Sequence, residues 1–153
     1  MAKILTVYYS HTGNAKKAAE QVHAKVGGDI FELQPVDPYP ADAGETIERG
    51  RKENQEGVTV ALQGVLPNAA DYDIIAVGTP NWYGTLSNPV IAYLKSQNLA
   101  GKKLAVFATH GRGGLGHIAE DLARDYATAD IAPVFDVSGD GSLDEWLKTI
   151  GAL

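Results

Sequence analysis

Side chains that donate hydrogen bonds cluster where the first apolar run of the chain changes to a helical pattern. Ser10, Thr12 and Asn14 carry hydroxyl or amide donors, and Gly13 allows a bound group to approach the backbone closely. A helix that begins here presents unpaired N–H groups and the positive end of its dipole, an arrangement that binds phosphate. The simpler alternative is that Ser10 or Thr12 only caps the helix. We call this segment the anion loop, and its predicted binding residues are Ser10, His11, Thr12, Gly13, Asn14 and Ala15.

Two further segments of unusual composition follow later apolar runs. The first, 79–84, carries the neighbouring residues Trp82 and Tyr83, whose rings can stack on a flat ligand. The second, 109–114, is rich in glycine and can present backbone donors to a bound molecule. Together with the anion loop, these segments suit a planar heteroaromatic ring joined to a phosphate. Their candidate binding residues are Thr79, Pro80, Asn81, Trp82, Tyr83 and Gly84 in the first segment, and Thr109, His110, Gly111 and Gly114 in the second.

Alternating apolar runs and helical patterns predict how these segments are positioned. The runs Ile4–Tyr8, Ile74–Val77 and Leu104–Ala108 are almost continuously apolar, which is typical of strands buried on both faces of a parallel sheet. Strands that alternate with helices predict an α/β fold, a doubly wound five-stranded parallel sheet with helices on both faces. Such a sheet binds its ligand at the carboxyl ends of the strands. The predicted strands are Lys3–Tyr8, Ile30–Leu33, Asp73–Gly78, Lys103–Thr109 and Ala132–Val137.

Local signals predict where several helices begin. Asn88 followed by Pro89 indicates an N-cap and a first-turn proline, and Ser142 indicates the cap of the last helix. The segment 34–71 is the longest irregular connection, because prolines interrupt its pattern. Within it, Thr46–Glu56 is predicted to be a charged, exposed helix.

Length and composition restrict the class of protein. A chain of 153 residues without a linker or repeat predicts one domain, residues 1–153. The absence of cysteine excludes disulfides, thiol redox chemistry and iron–sulfur ligation, so an organic cofactor must carry any electrons. No signal peptide or membrane-length apolar run is visible, and we therefore expect a cytoplasmic protein without membrane contact.

The charge of the chain is negative and uneven. A net charge of −6 argues against nucleic acid as a partner. The segment from His110 onward contains eight acidic and three basic residues, and a solvent-exposed surface is the simplest explanation of this excess. The functional alternative is a docking surface for a basic partner protein. The eight acids are Glu120, Asp121, Asp125, Asp130, Asp136, Asp140, Asp144 and Glu145.

Over essentially its whole length, the chain resembles a short-chain flavodoxin. The resemblance is carried by the motifs Ser10-His11-Thr12-Gly13-Asn14, Gly78-Thr79-Pro80-Asn81-Trp82-Tyr83-Gly84 and Thr109-His110-Gly111-Arg112-Gly113-Gly114. It implies the strand order 2-1-3-4-5 and non-covalently bound FMN, with the phosphate in the anion loop and the isoalloxazine between the other two segments. Many flavodoxins have a hydroxyl residue where this chain has Ala15, so one phosphate donor is missing here.

The resemblance also implies contacts to the flavin ring. Either Trp82 or Tyr83 stacks on the ring, and the position of Trp82 in a polar segment favours stacking over a core role. Backbone groups around 81–84 and 110–111 hydrogen-bond the edge of the ring, and a peptide near Gly84 can turn as the redox state changes. A protonated His110 would favour the anionic reduced flavin, although a histidine that only bonds the backbone is an equal alternative.

Competing motifs are weaker. Gly111–Gly116 matches the dinucleotide pattern G-x-G-x-x-G, and Asp136 lies at a suitable distance for a ribose contact, but too little chain follows for a full dinucleotide fold. A P-loop, a nucleophile elbow and the paired acids of a phosphoacceptor receiver are all absent from the sequence. We therefore predict no catalytic residue supplied by the chain itself. No histidine pair shares metal-ligand spacing with a carboxylate in the sequence, so we also predict no metal site.

Three functions remain open from the sequence. The first is an FMN-binding electron carrier, a monomer that moves electrons between a reductase and an acceptor. The second is an FMN-dependent NAD(P)H oxidoreductase acting on quinones, which usually needs a dimer to complete its pocket. The third is a flavin-free binding module that keeps only the fold.

Overall fold

A parallel sheet forms the centre of the computed structural model, which describes residues 2–110 and 114–153. Within those residues the sheet has seven strands, and its continuous path has the order β2-β1-β3-β5-β6. β4 pairs with β3 in antiparallel fashion, and β7 extends the position of β6 along β5. The strands are β1 (Ile4–Tyr8), β2 (Asp29–Glu32), β3 (Ile74–Trp82), β4 (Thr85–Leu86), β5 (Lys103–Thr109), β6 (Asp130–Ile131) and β7 (Phe135–Asp136).

Helices cover both faces of the sheet, as the alternating pattern predicts. On one face α3 and α4 pack on the apolar side chains Leu5, Val77 and Val106. On the other face α1 and α5 pack on the intervening residues, such as Ala76 and Phe107. Both faces of the central strands are therefore buried. Within the described residues the helices are α1 (Asn14–Val26), α2 (Ala43–Gln55), α3 (Asn88–Lys95), α4 (Ile118–Asp125) and α5 (Leu143–Thr149), with a 3₁₀ turn at Ala69–Asp71.

The fifth position of the sheet differs from the prediction of one strand over Ala132–Val137. Two short strands occupy it, β6 and β7, and Pro133 lies between them. A proline has no N–H to donate, so pairing with β5 is interrupted there. The Pro133 carbonyl accepts a hydrogen bond of 2.7 Å from Nε1–H of Trp146 on α5. If β4 is left out and β6 and β7 are counted as one interrupted strand, the five parallel strands have the predicted order 2-1-3-4-5.

Other element boundaries also differ from prediction. β3 continues past Gly78 to Trp82, because its end pairs with β5, where Pro80 lies opposite Thr109. The N-cap of α3 is Ser87, and Asn88 is the first helical residue. The structure confirms Ser142 as the cap of α5, with its Oγ accepting the N–H of Glu145 at 3.3 Å.

The helix predicted over Thr46–Glu56 is present as α2, but it is not wholly exposed. Asp42 caps it by accepting the N–H of Glu45 at 2.8 Å. Thr46 and Gly50 are buried against the rest of the molecule. In the described part of the chain, no helix has both the length and the apolar character needed to cross a membrane.

Candidate functional site

Parallel pairing brings the three candidate segments to one edge of the sheet. β1 and β5 are the two neighbours of β3, and Gly78 of β3 lies opposite both Tyr8 and Phe107. The segments that follow these strands therefore leave the sheet side by side. Gly78 also leaves no room for a side chain, since a Cβ there would lie 2.6 Å from Cε2 of Phe107.

The anion loop ends in an open helix terminus. Gly13 is the N-cap of α1 with φ of 97°, in the left-handed region that favours glycine. No side chain caps this helix among the described residues, and Ser10 Oγ instead accepts the N–H of Gly13 at 3.0 Å. The simple capping alternative for Ser10 or Thr12 is therefore not the observed arrangement. The first-turn N–H groups of α1 stay available to an anion.

The side chains of the anion loop divide into two groups. Thr12 and Asn14 are exposed, and Ser10 is half-buried, so all three can approach a bound group. Ala15 is buried in the core beneath the loop, and only its backbone faces the helix terminus.

The side chain of His11 makes its hydrogen bonds within the protein. Its Nε2 lies 2.7 Å from the carbonyl oxygen of Pro40 and 3.1 Å from Oγ1 of Thr46. Thr46 donates to the same Pro40 oxygen at 2.7 Å. His11 therefore ties the anion loop to the start of α2.

A tight hairpin replaces the irregular segment expected around the aromatic pair. Trp82 of β3 pairs with Thr85 of β4, which leaves Tyr83 and Gly84 as the two turn residues. Their φ values are 42° and 91°, and positive φ at both central positions is the requirement of a type I′ turn. A bulky residue at positive φ is strained, and strain of this kind concentrates at functional sites.

Hydrogen bonds at its hydroxyl hold the side chain of Tyr83. Its hydroxyl lies 2.6 Å from Oδ1 of Asn88 and 3.0 Å from the carbonyl oxygen of Gly50. Asn88 in turn donates to the Gly50 oxygen at 2.8 Å. Burial is the main cause that raises the pKa of Tyr83. The half-buried Tyr83 ring therefore lies beside the edge of the sheet in a fixed position.

Trp82 lies in the core, and the expectation that it favours ring stacking is not what the structure shows. It is 3% exposed and packs edge-on against Tyr39 and Tyr9, with ring centroids 4.9 and 5.5 Å away. Gly50 allows this packing, because a Cβ there would lie 3.2 Å from Cε3 of Trp82. Of the predicted aromatic pair, Tyr83 is the member that remains partly accessible.

Thr79 and Pro80 are less available than the sequence suggested. Thr79 is fully buried, and its Oγ1 accepts the N–H of Ser87 at 3.0 Å, which fixes the start of α3 to β3. Thr79 therefore stabilises the scaffold, and its side chain does not face a ligand. Pro80 is half-buried at the end of the pairing between β3 and β5.

Asn81 connects the hairpin to the third candidate segment. Its Oδ1 accepts the N–H of Gly84 at 2.9 Å, and its Nδ2 donates to the carbonyl of Gly114 at 2.6 Å. Two of the predicted segments therefore touch through one amide side chain.

The third segment begins with a histidine that is held in place. Thr109 is buried at the end of β5, and His110 Nε2 lies 2.9 Å from Oδ1 of Asp136 on β7. Ser138 Oγ accepts the N–H of His110 at 3.1 Å and lies 3.1 Å from its carbonyl. The other ring nitrogen, Nδ1, is buried and has no partner among the described residues. Gly111, together with Arg112 and Gly113, lies outside the described residues.

Sequence reasoning missed several residues that shape this edge. Asp136 was considered as a ribose contact and as one of the eight acids, and the structure pairs it with His110. Tyr39 and Gly50 come from the irregular connection and carried no functional signal. Asp121 was counted among the surface acids, but it is 8% exposed and is contacted by Thr85.

Comparisons with known proteins agree with this architecture. A family model described as Flavodoxin matches residues 3–150. A crystal structure from Bacteroides eggerthii, described provisionally as a flavoprotein, is 27% identical, has a TM-score of 0.87 and covers 99% of each chain. A flavoprotein from Lactobacillus acidophilus, crystallised with FMN, is 22% identical with a TM-score of 0.79, covering 95% of this chain and 99% of the other. Two-electron reduced flavodoxin from Megasphaera elsdenii shares the fold at 19% identity, with a TM-score of 0.58 and coverage of 97% and 96%.

Proposed function

We propose that this chain, which belongs to the flavodoxin family, binds FMN and carries electrons between a reductase and an acceptor. One observation carries the proposal. The open N-terminus of α1 lies at the same sheet edge as the strained Tyr83–Gly84 turn and His110. An anion site beside an aromatic side chain and a buried polar atom suits a phosphate attached to a flat ring.

The residues present fit the phosphate of FMN. Within the part of the chain that the structure describes, no side chain caps the first-turn N–H groups of α1, and Ser10 and Thr12 of the preceding loop carry hydroxyls. A Cβ at Gly13 would have no atom within 4 Å, so the space above the terminus is open. Ala15 supplies no hydroxyl, and the phosphate therefore depends more on backbone donors.

The residues present also fit the ring. Tyr83 is partly accessible for stacking, and Nδ1 of His110, which has no partner in 2–110 or 114–153, is a polar atom that a ligand can satisfy. When bound, FMN supplies the redox chemistry that a chain without cysteine cannot provide. The chain orients the ring through the turn, and Asp136 holds the imidazole of His110 at 2.9 Å.

The partners and the setting of the protein are part of the same proposal. We propose docking of basic redox partners on the acidic C-terminal third, in which Glu120, Asp140 and Glu145 are exposed. The carrier is proposed to act as a monomer in the cytoplasm, without contact to membrane or nucleic acid. Asp121 is not part of this surface, because it is buried.

Titration of the FMN-free protein with FMN and with riboflavin tests the cofactor and its phosphate together. We expect one FMN per chain, with affinity at least about tenfold higher than for riboflavin, because riboflavin lacks the charged group that the helix terminus binds. A protein that binds neither compound would contradict the proposal. Equal affinities would remove the anion loop from the site.

Steady-state assays separate an electron carrier from an oxidoreductase. The FMN-loaded protein is mixed with NADH or NADPH and a quinone, with and without a flavodoxin reductase. We expect rapid electron transfer only when the reductase is present. Rapid oxidation of NAD(P)H by the protein alone would instead support the oxidoreductase.

A further inference from the structure

A buried carboxylate lies behind the hairpin turn. Asp121, on the first turns of α4, is 8% exposed. Its Oδ2 accepts a hydrogen bond from Oγ1 of Thr85 and lies 2.6 Å from Nδ1 of His117. Its Oδ1 lies 3.2 Å from the guanidinium of Arg124, which is largely exposed. A buried carboxylate is costly unless such partners satisfy it, so the three contacts must be maintained in the folded protein.

Two of those partners are directly joined to the turn residue Gly84. Thr85 follows Gly84 in the chain and begins β4. His117 donates its backbone N–H to the carbonyl of Gly84 at 2.7 Å. Asp121 therefore holds the turn in two ways. It contacts Thr85, which follows Gly84, and it contacts His117, whose N–H binds the Gly84 carbonyl.

Steric contact reinforces this connection. A Cβ at Gly84 would lie 3.0 Å from Nε2 of His117, so the imidazole packs directly against the turn. From the opposite side, Asn81 Oδ1 accepts the Gly84 N–H at 2.9 Å. The Tyr83–Gly84 turn is thus held on one side by Asn81 and on the other by the group centred on Asp121.

We propose that Asp121 is a positioning residue that fixes the Tyr83–Gly84 turn through Thr85 and His117, and so sets the affinity and midpoint potential of the bound flavin. The flavin half of this proposal rests on the proposed function. The turn is strained at Tyr83, where φ is 42°, and a strained conformation persists only where its surroundings hold it. Asp121 provides that restraint from α4, without touching the ligand site itself.

Two variants approach the same group from different sides. Asp121→Ala removes the carboxylate, and Thr85→Val removes only the hydroxyl while keeping the shape of the side chain. Thr85→Val is the milder change and keeps the test informative if Asp121→Ala folds poorly. Glu48→Ala is the control, because Glu48 is an exposed carboxylate on α2 that belongs to no proposed binding surface.

The first measurement is amide hydrogen exchange in the FMN-free protein, followed by NMR. Both variants should exchange the Gly84 and His117 amides at least about tenfold faster than wild type, since hydrogen bonds to a buried charge are among the stronger ones. The amides of β1 should exchange faster only to the extent that the variant lowers the free energy of global unfolding. Unchanged exchange at Gly84 and His117 in both variants would overturn the proposal, whether or not the protein binds FMN.

The second measurement is the FMN dissociation constant and the midpoint potential of the FMN-loaded variants. We expect about a fivefold or larger increase in the dissociation constant and a shifted potential for both, with Glu48→Ala close to wild type. A merely structural role would lower stability without changing the potential, and that result would overturn the flavin half. If wild-type protein bound no FMN, the proposed function and the proposed effect of Asp121 on the flavin would both fail. The hydrogen-exchange data would still show whether Asp121 restrains the turn.

Discussion

Gly116 lies against Gly84 so closely that a Cβ on Gly116 would be 2.4 Å from the Gly84 carbonyl oxygen. The same Gly84 carbonyl accepts the N–H of His117, the residue that follows Gly116. The segment before α4 and the hairpin turn are therefore in contact through backbone atoms alone. This contact explains why Gly116, which the sequence shows only as the last glycine of an apparent dinucleotide motif, is needed at this position.

Replacement of Gly116 by alanine should separate these two backbones. We expect Gly116→Ala to lower the free energy of unfolding by about 2 kcal/mol, from the clash and from its φ of 56°. Urea denaturation gives this value. Gly64→Ala is the control, because Gly64 has φ of 80° and open space for a Cβ, so it bears only the cost of the conformation. Equal losses for the two variants would show that the contact with Gly84 is unimportant.

Gly13 should matter for the ligand more than for stability. Gly13→Ala and Gly101→Ala both place a side chain at positive φ, 97° and 75°, with no atom within 4 Å of the new Cβ. Each should therefore cost about 1 kcal/mol in unfolding free energy. Only Gly13→Ala should also weaken FMN binding, because relaxation of its φ turns the first N–H groups of α1 away from the phosphate. Isothermal titration with FMN measures the difference, and comparable FMN binding by the two variants would argue against the anion loop.

The aromatic pair should separate into a ligand residue and a core residue. Tyr83→Leu is expected to weaken FMN binding with a modest loss of stability, since the Tyr83 ring is half-buried at the turn. Trp82→Leu is expected to cost about 3 kcal/mol in unfolding free energy, because it leaves a cavity beside Tyr39. FMN titrations and urea denaturation of both variants provide the comparison. A stable Trp82→Leu protein that loses FMN would reverse the assignment.

The interiors of the central strands could be predicted from the sequence, but the end of β3 could not. Continuous apolar runs identified the interiors of β1, β3 and β5, because burial on both faces leaves no alternative composition. The extension of β3 to Trp82 was not predictable, since Pro80 and Asn81 are poor strand residues. Their strand conformation comes from pairing with two later strands, β4 and the more distant β5. Tertiary pairing thus overrides local preference here.

The candidate site shows the same division between local and remote information. The open terminus of α1 followed from local residues, as Gly13 and its neighbours show. The burial of Trp82 depends on Tyr39 and Gly50, which approach from a connection without a clear pattern. Asp121 reads as one surface acid among eight until α4 is packed against β4. Contacts between distant segments were therefore the part that single-sequence reasoning could not supply.

Alkaline pH should destabilise the protein through its buried tyrosines. Burial is the main cause that raises the pKa of Tyr9 to about 12, from 10.0 in an exposed tyrosine. The neutral phenol is favoured in the folded state, so this contribution is fully present below pH 10 and is lost as the pH rises from 10 to 12. Chemical denaturation between pH 9 and pH 12 should show that the unfolding free energy falls less steeply with pH for Tyr9→Phe than for wild type. The difference between the two slopes should correspond to about one bound proton per molecule. Parallel curves for the two proteins would contradict the assigned pKa.

The interrupted fifth position of the sheet has a consequence for association between molecules. An edge strand with a continuous row of free N–H and C=O groups can pair with another chain and start aggregation. Here the outer edge consists of two-residue strands separated by Pro133, and the Pro133 carbonyl is already taken by Trp146. At Pro133 an incoming strand would find no N–H donor, and the carbonyl oxygen there is already hydrogen-bonded. The break that shortens the sheet therefore also makes this edge a poor template for strand addition by another molecule.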